Sequence, residues 1–172
     1  MANTFLISDT HFGHTNICKF LREDGSKLRP WDDVNEMDHA LIQNWNKVVG
    51  PKDKVYHLGD VFINKKARFI LNGLNGDKVL IKGNHDIFDL ATYTPFFRDI
   101  RAYHVLEKCI LSHVPIHPQQ LNRFKGNIHG HLHEHVVKDH AGNVDPRYLT
   151  MCVEHINYTP VELSVALKHF NQ

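Results

Sequence analysis

The chain has 172 residues, which fits one domain with a core of its own. It is 42% hydrophobic and 23% charged, which excludes a disordered chain, and no apolar run approaches the roughly 18 residues of a membrane helix. Lys and Arg number 20 against 19 Asp and Glu, a net charge of +1, so strong nucleic-acid binding is not expected.

In chain order, the first apolar run is Phe5 to Ser8, read as a buried strand. It is too short for a signal peptide, and Met1 to Thr4 has no basic region before it. Asp33 with Glu36 three residues on is a capping-box signature, and Val34, Met37, Leu41, Trp45 and Val48 follow at helical spacing. Gly50-Pro51 stops that helix. A second strand is expected over Val55 to Leu58, then a helix from Asn64 to Asn72 ended by Gly73. Further strands are expected at Val79 to Ile81, Cys109 to Ser112 and, more weakly patterned, Asn127 to His129. A last helix is expected from Thr159, with Pro160 in its first turn and Glu162 closing a capping box. The alternation indicates a single α/β domain over 1–172, with an antiparallel component around Arg98 to Ile110 and His135 to Val153. Three cysteines with no CxxC pair suggest neither a disulfide framework nor a thiolate zinc site, and the expected location is cytoplasmic.

The 15 histidines are decided by their spacing. Each apolar run leads at once to a metal-binding residue type: Asp9-Thr10-His11, Gly59-Asp60, Gly83-Asn84-His85-Asp86, His113, and Gly130-His131-Leu132-His133. In open α/β sheets ligands collect at the carboxyl ends of strands. Asp9 and His11, like His131 and His133, are two apart, so in extended chain each pair faces one way. Mixed carboxylate, imidazole and amide donors suit Mn²⁺, Fe²⁺ or Zn²⁺, and there are more of them than one four-coordinate ion needs. The glycines at the strand exits permit sharp turns and close backbone approach.

The ordered motifs D-T-H, G-D, G-N-H-D, an isolated His and G-H-L-H resemble the calcineurin-like metallophosphoesterase superfamily, over residues 9–133. The small stand-alone members from bacteria and phages are the most similar. The resemblance implies a four-layer αββα sandwich with a dimetal site at the strand C-terminal ends. It implies Asp9, His11, Asp60 and His133 as ligands of a first ion, Asp60 bridging, and Asn84, His113 and His131 as the remaining ligands of a second. Two divalent ions are implied, Mn²⁺ foremost, with Fe²⁺, Zn²⁺ or Ni²⁺ as alternatives. His85 resembles the family's catalytic histidine, and Asp86 would hydrogen-bond and orient it. The reaction implied is hydrolysis of small phosphodiesters, nucleotides or cyclic nucleotides among them, by a hydroxide bridging the metals. A phosphomonoesterase with the same centre is the alternative, and a non-catalytic scaffold a distant third. A homo-oligomer is compatible with all three.

His14 and Asn16, just past His11, are candidates to touch substrate, as are His117 and Arg123 in the loop before Gly130. For each, a solvated or packed side chain is the competing reading. His57 and His129 lie inside strands, either supporting ligands or simply packed, and Lys65, Lys66 and Arg68 read as a helix surface. No Asp-Arg-Gly follows the second motif, which argues against a protein phosphatase.

Overall fold

A computed structural model describes residues 2–171. Nine strands form two sheets: β1 (Thr4–Ile7), β2 (Lys54–His57), β3 (Asp77–Ile81), β4 (Asp99–Arg101), β5 (Tyr103–Leu106), β6 (Cys109–Ser112), β7 (Gly126–His129), β8 (Tyr148–Thr150) and β9 (Val161–Glu162). The first sheet has the order β4-β3-β2-β1-β9, parallel except for β9, and the second the order β5-β6-β7-β8, parallel except for β5. All five expected strands are present.

Side-chain alternation divides the core. Phe5, Ile7, Val55 and Leu80 point from the first sheet onto Met37, Leu41 and Trp45 of helix α1 (Val34–Val48). Leu6, Tyr56, Val79 and Ile81 point the other way, onto Cys109, Leu111 and Ile128 of the second sheet. Ile110 and Tyr148, on that sheet's outer face, are covered by Leu121 of a 3₁₀ turn, Pro118–Leu121, and by irregular chain carrying Val137. The fold is thus a mixed α/β arrangement of two apposed, mostly parallel sheets with few helices. The three cysteines are buried and unpaired, and among the described residues no helix is long and apolar enough to cross a membrane.

Helix α1 begins as its sequence indicates, the Asp33 carboxylate accepting from Asn35 N and Glu36 N. The segment expected as a second helix winds as a 3₁₀ helix over Lys65–Gly73, capped by Asn64. The expected helix from Thr159 does not start there. Val161 and Glu162 instead pair antiparallel with Leu6 and Phe5, and α2 runs only from Leu163 to Ala166. Pro160 stands at a strand start, where a missing N–H costs nothing, and the Glu162 carboxylate accepts from Ser164 Oγ. Edge pairing has overridden a local capping pattern. The antiparallel expectation holds at β5–β6, joined by Glu107-Lys108, both at positive φ (49° and 65°), as a two-residue hairpin requires. Between His135 and Val153 the antiparallel component is short: Lys138 and Val144 form an antiparallel bridge, with Asp145 N donating to Val137 O, while β8, the named strand of that stretch, runs parallel to β7.

Candidate metal centre

The carboxyl ends of β1, β2, β3, β6 and β7 deliver their loops to one edge of the molecule. The turns there are tight. Asp9, His11, Asp60, His131 and His133 all have φ between 50° and 74°, a region few non-glycine residues adopt. Such strain persists only where surrounding contacts over-determine it, and it clusters at functional sites. Gly83 and Gly130 make room rather than bend: a Cβ at Gly83 would collide with Asp60 Oδ1, and one at Gly130 with Ser8 Oγ and Asp9 Oδ2.

Two groups result, Asp9, His11 and His133, and Asp60, His113 and His131, each with ligand atoms within 4.8 Å of one another. In the first, Asp9 Oδ1 lies 3.8 Å from His11 Nε2 and 3.9 Å from His133 Nε2, while Oδ2 accepts from His131 N at 2.9 Å. In the second, Asp60 Oδ2 lies 3.4 Å from His113 Nε2 and also 3.6 Å from His11 Nε2 of the first group. Asp60 Oδ1 is engaged by the backbone N–H of His85 at 2.8 Å, so Oδ2 alone faces both groups. Asp9, His11, Asp60 and His113 are all buried.

The donors fit divalent cations. Asp9 Oδ1 and His11 Nε2 are buried without a hydrogen-bond partner, a state that costs about 1–3 kcal/mol per group unless something else satisfies it. His113 Nδ1 donates to Leu58 O at 2.8 Å, which turns Nε2 toward Asn84 Oδ1 at 2.8 Å and Asp60 Oδ2 at 3.4 Å; with the ring neutral, that lone pair and those oxygens are placed to share a cation. Burial, with Arg29 nearby, holds His11 well below its ordinary pKa, and burial with His113 lowers His131; both are neutral, as ligands must be. Burial also opposes charge on His113 and His133, but Asp60 and Glu154 respectively outweigh it and push both imidazoles up.

The remaining expected residues divide. Asn84 lies against His113, in the second group. His85 is exposed at the rim, its ring 5.7 Å from that of His11. The half-buried His14 ring is 5.6 Å from His11, and Asn16 is exposed on the next turn. Asp86 departs from the role the resemblance implied. Its buried carboxylate accepts from Asp60 N, Val61 N and Gly83 N at 2.8–2.9 Å, so its lone pairs face backbone, and no hydrogen bond joins it to His85 among the described residues. His117 caps the 3₁₀ turn, its Nδ1 accepting from Gln119 N at 3.4 Å, and Arg123 is exposed beyond it. No hydrogen bond or ion pair brings either to the two groups among the described residues.

His57 is a bracing residue: fully buried, it meets Thr10 Oγ1 through Nε2 at 3.0 Å and accepts from Gly59 N through Nδ1 at 3.2 Å, tying the first two loops together. Sequence reasoning missed Arg29 and Glu154. Glu154 follows residues 151–153, which cross from the second sheet to hydrogen-bond Ser8 at the end of β1. There it meets His133 and, from the loop before α1, Arg29. No motif marks either residue; only the fold joins positions 125 apart in sequence.

Fold and site together define an α/β protein with two neighbouring Asp/His groups that could hold metal ions. The chain is 39% identical to the uncharacterised protein MJ1445 of Methanocaldococcus jannaschii, over an alignment taking in 98% of this chain and 91% of the relative, and it belongs to that protein's family. The crystal structure of a protein of unknown function, AQ665 from Aquifex aeolicus, has the same fold, with a TM-score of 0.70 and 25% identity over 98% of this chain and 99% of that one. A looser alignment, TM-score 0.49 at 19% identity over 87% of this chain and 82% of the other, pairs it with a novel archaeal phosphodiesterase and is too distant to bear on the reaction. No protein-family model matches the chain.

Proposed function

We propose that this chain is a two-metal hydrolase of small phosphodiesters, built on the calcineurin-like plan with a thin fourth layer. The observation that carries this is the placing of Asp60 Oδ2 between His11 Nε2 and His113 Nε2, one carboxylate oxygen serving two ligand groups. Asp9, His11, His133 and Asp60 would hold one ion; Asp60, Asn84, His113 and His131 the other. Carboxylate, imidazole and amide donors together suit Mn²⁺. A bound pair of divalent cations supplies charge neutralisation of the phosphate and a lowered pKa for water.

The chain's own residues do the rest. His85 stands exposed at the rim, its backbone held by Asp60 while its ring is free to donate a proton to the leaving alkoxide. A groove of about 360 Å³ runs from Asn84 and His113 past Lys82, Tyr103 and Val114, and it offers space for an organic group on the phosphorus. An open rim with such a groove favours a diester over a bare monoester.

The test is turnover of bis(p-nitrophenyl) phosphate against p-nitrophenyl phosphate with Mn²⁺ added. The diester is expected to be the better substrate, and EDTA to abolish turnover. His85→Ala is expected to keep both ions by elemental analysis while kcat falls about 10²- to 10⁴-fold. Preference for the monoester would replace the diester reading. Bound Mn²⁺ with no turnover of either ester would replace the enzyme reading with a scaffold.

A further inference from the structure

The two groups are held in different ways. In the second, a neutral backbone carbonyl, Leu58 O, fixes the His113 ring through Nδ1. In the first, a charge stands behind the histidine: His133 Nδ1 donates to Glu154 Oε1 at 3.1 Å, which turns Nε2 toward Asp9 Oδ1. That carboxylate is 1% exposed and would be costly to bury alone. Arg29, itself 0% exposed, reaches Glu154 Oε1 with Nε at 2.9 Å and Nη2 at 2.8 Å. The same guanidinium donates to Asp9 O at 2.6 Å and Thr10 O at 2.9 Å. One cation therefore neutralises the carboxylate behind His133 and clamps the main chain that carries Asp9 and His11. All three ligands of the first group are tied to one buried ion pair, and no atom of that pair hydrogen-bonds a ligand of the second group among the described residues.

We propose that Glu154 is the positioning residue of the first group, with Arg29 as its counter-charge, and that the two ions are therefore unequal. The first group is pre-organised and fills first; the second fills afterwards and more weakly. A carboxylate behind a ligating imidazole fixes its tautomer and orientation and raises its basicity, and losing such a partner typically weakens metal binding about 10- to 100-fold. The inference rests on the reading of both groups as metal sites.

The experiment is a Mn²⁺ titration of the full chain by calorimetry, with elemental analysis of bound metal. The wild type is expected to show two classes of site. In Glu154→Gln the tighter class should weaken about 10- to 100-fold while the weaker class keeps its affinity. Because glutamine leaves Arg29 buried without a counter-charge, Glu154→Asp is measured beside it, with folding checked by circular dichroism. Aspartate keeps the charge one methylene short, and a smaller loss confined to the tighter class is expected. If the wild type binds two Mn²⁺ and the folded variants bind like it, or weaken both classes equally, the positioning role is overturned and the metal-site reading stands. If the wild type binds no Mn²⁺, the metal-site reading falls and this inference with it.

Discussion

At the scale of single residues, Asp60 is where side chains of the two groups come near each other. Its Oδ1 is fixed by His85 N, and Oδ2 lies within 3.6 Å of one imidazole from each group. Burial opposes the negative charge of Asp60, but His113 more than offsets it and keeps the carboxyl below its ordinary pKa, so it is ionised at neutral pH. Asp60→Asn keeps the shape and the His85 contact while removing that charge. Elemental analysis of this variant after gel filtration in Mn²⁺-free buffer is expected to show both ions depleted. Loss of one alone would overturn the proposed bridging role of Asp60. Most residues of the two groups were legible because they follow directly on apolar strands, where their identity and spacing can be read along the chain. Glu154 and Arg29 were not, because a lone Glu and a lone Arg gain meaning only from a partner brought near by tertiary folding. Five positive φ values were hidden for a related reason. Asp and His tolerate that backbone better than most side chains, but it is uncommon even for them, and nothing local in the sequence reveals that these five adopt it.

At the scale of elements, the turn from Gly83 to Asp86 shows how one side chain holds two loops in register. Asp86 receives three backbone N–H groups, one from its own turn and two from the Asp60 turn, so it sets the distance between the exits of β2 and β3. Burial pushes its carboxyl above the ordinary range, and the amide donors work against that. Asp86→Asn should leave at least one of the three donors facing an amide NH₂ and cost about 1–3 kcal/mol of stability, measured by urea unfolding of metal-free protein. A residue that only oriented His85 would lower kcat and leave the unfolding midpoint in place, so an unchanged midpoint would restore that role. The turn sequence announced a site, but which neighbour Asp86 serves depends on a contact between strands, which one strand cannot display. The same limit explains the last helix. A capping pattern is local, whereas the free edge of β1 that draws in Val161 and Glu162 is a property of the assembled sheet.

For the whole molecule, the histidines make stability depend on pH in two opposite directions. Burial holds His57 down to about 3 and His129 to about 4, against 6.5 unfolded, so both are neutral in the native protein. A base with a depressed folded pKa takes up its proton on unfolding, so stability falls as pH drops below about 6.5. With both groups counted, the slope is on the order of 2 kcal/mol per pH unit between 6 and 4.5. His113 and His133 are raised instead, by Asp60 and Glu154, against the opposing effect of burial. Their contribution is complete below the unfolded value and is lost as pH rises through the folded one. Metal-free protein should therefore be most stable near pH 6.5 and weaken on both sides, as read by urea midpoints across pH 4.5–9. On the proposed two-metal reading, binding needs deprotonated imidazoles at His113 and His133, so saturating Mn²⁺ should abolish the alkaline decline and steepen the acid one. Because His57 and His129 belong to neither ligand group, the acid limb should survive EDTA. A metal-free profile that is flat from pH 6.5 to 4.5 would mean that these two imidazoles are not neutral in the native core, and the brace that His57 provides between the first two loops would then need a different hydrogen-bond assignment.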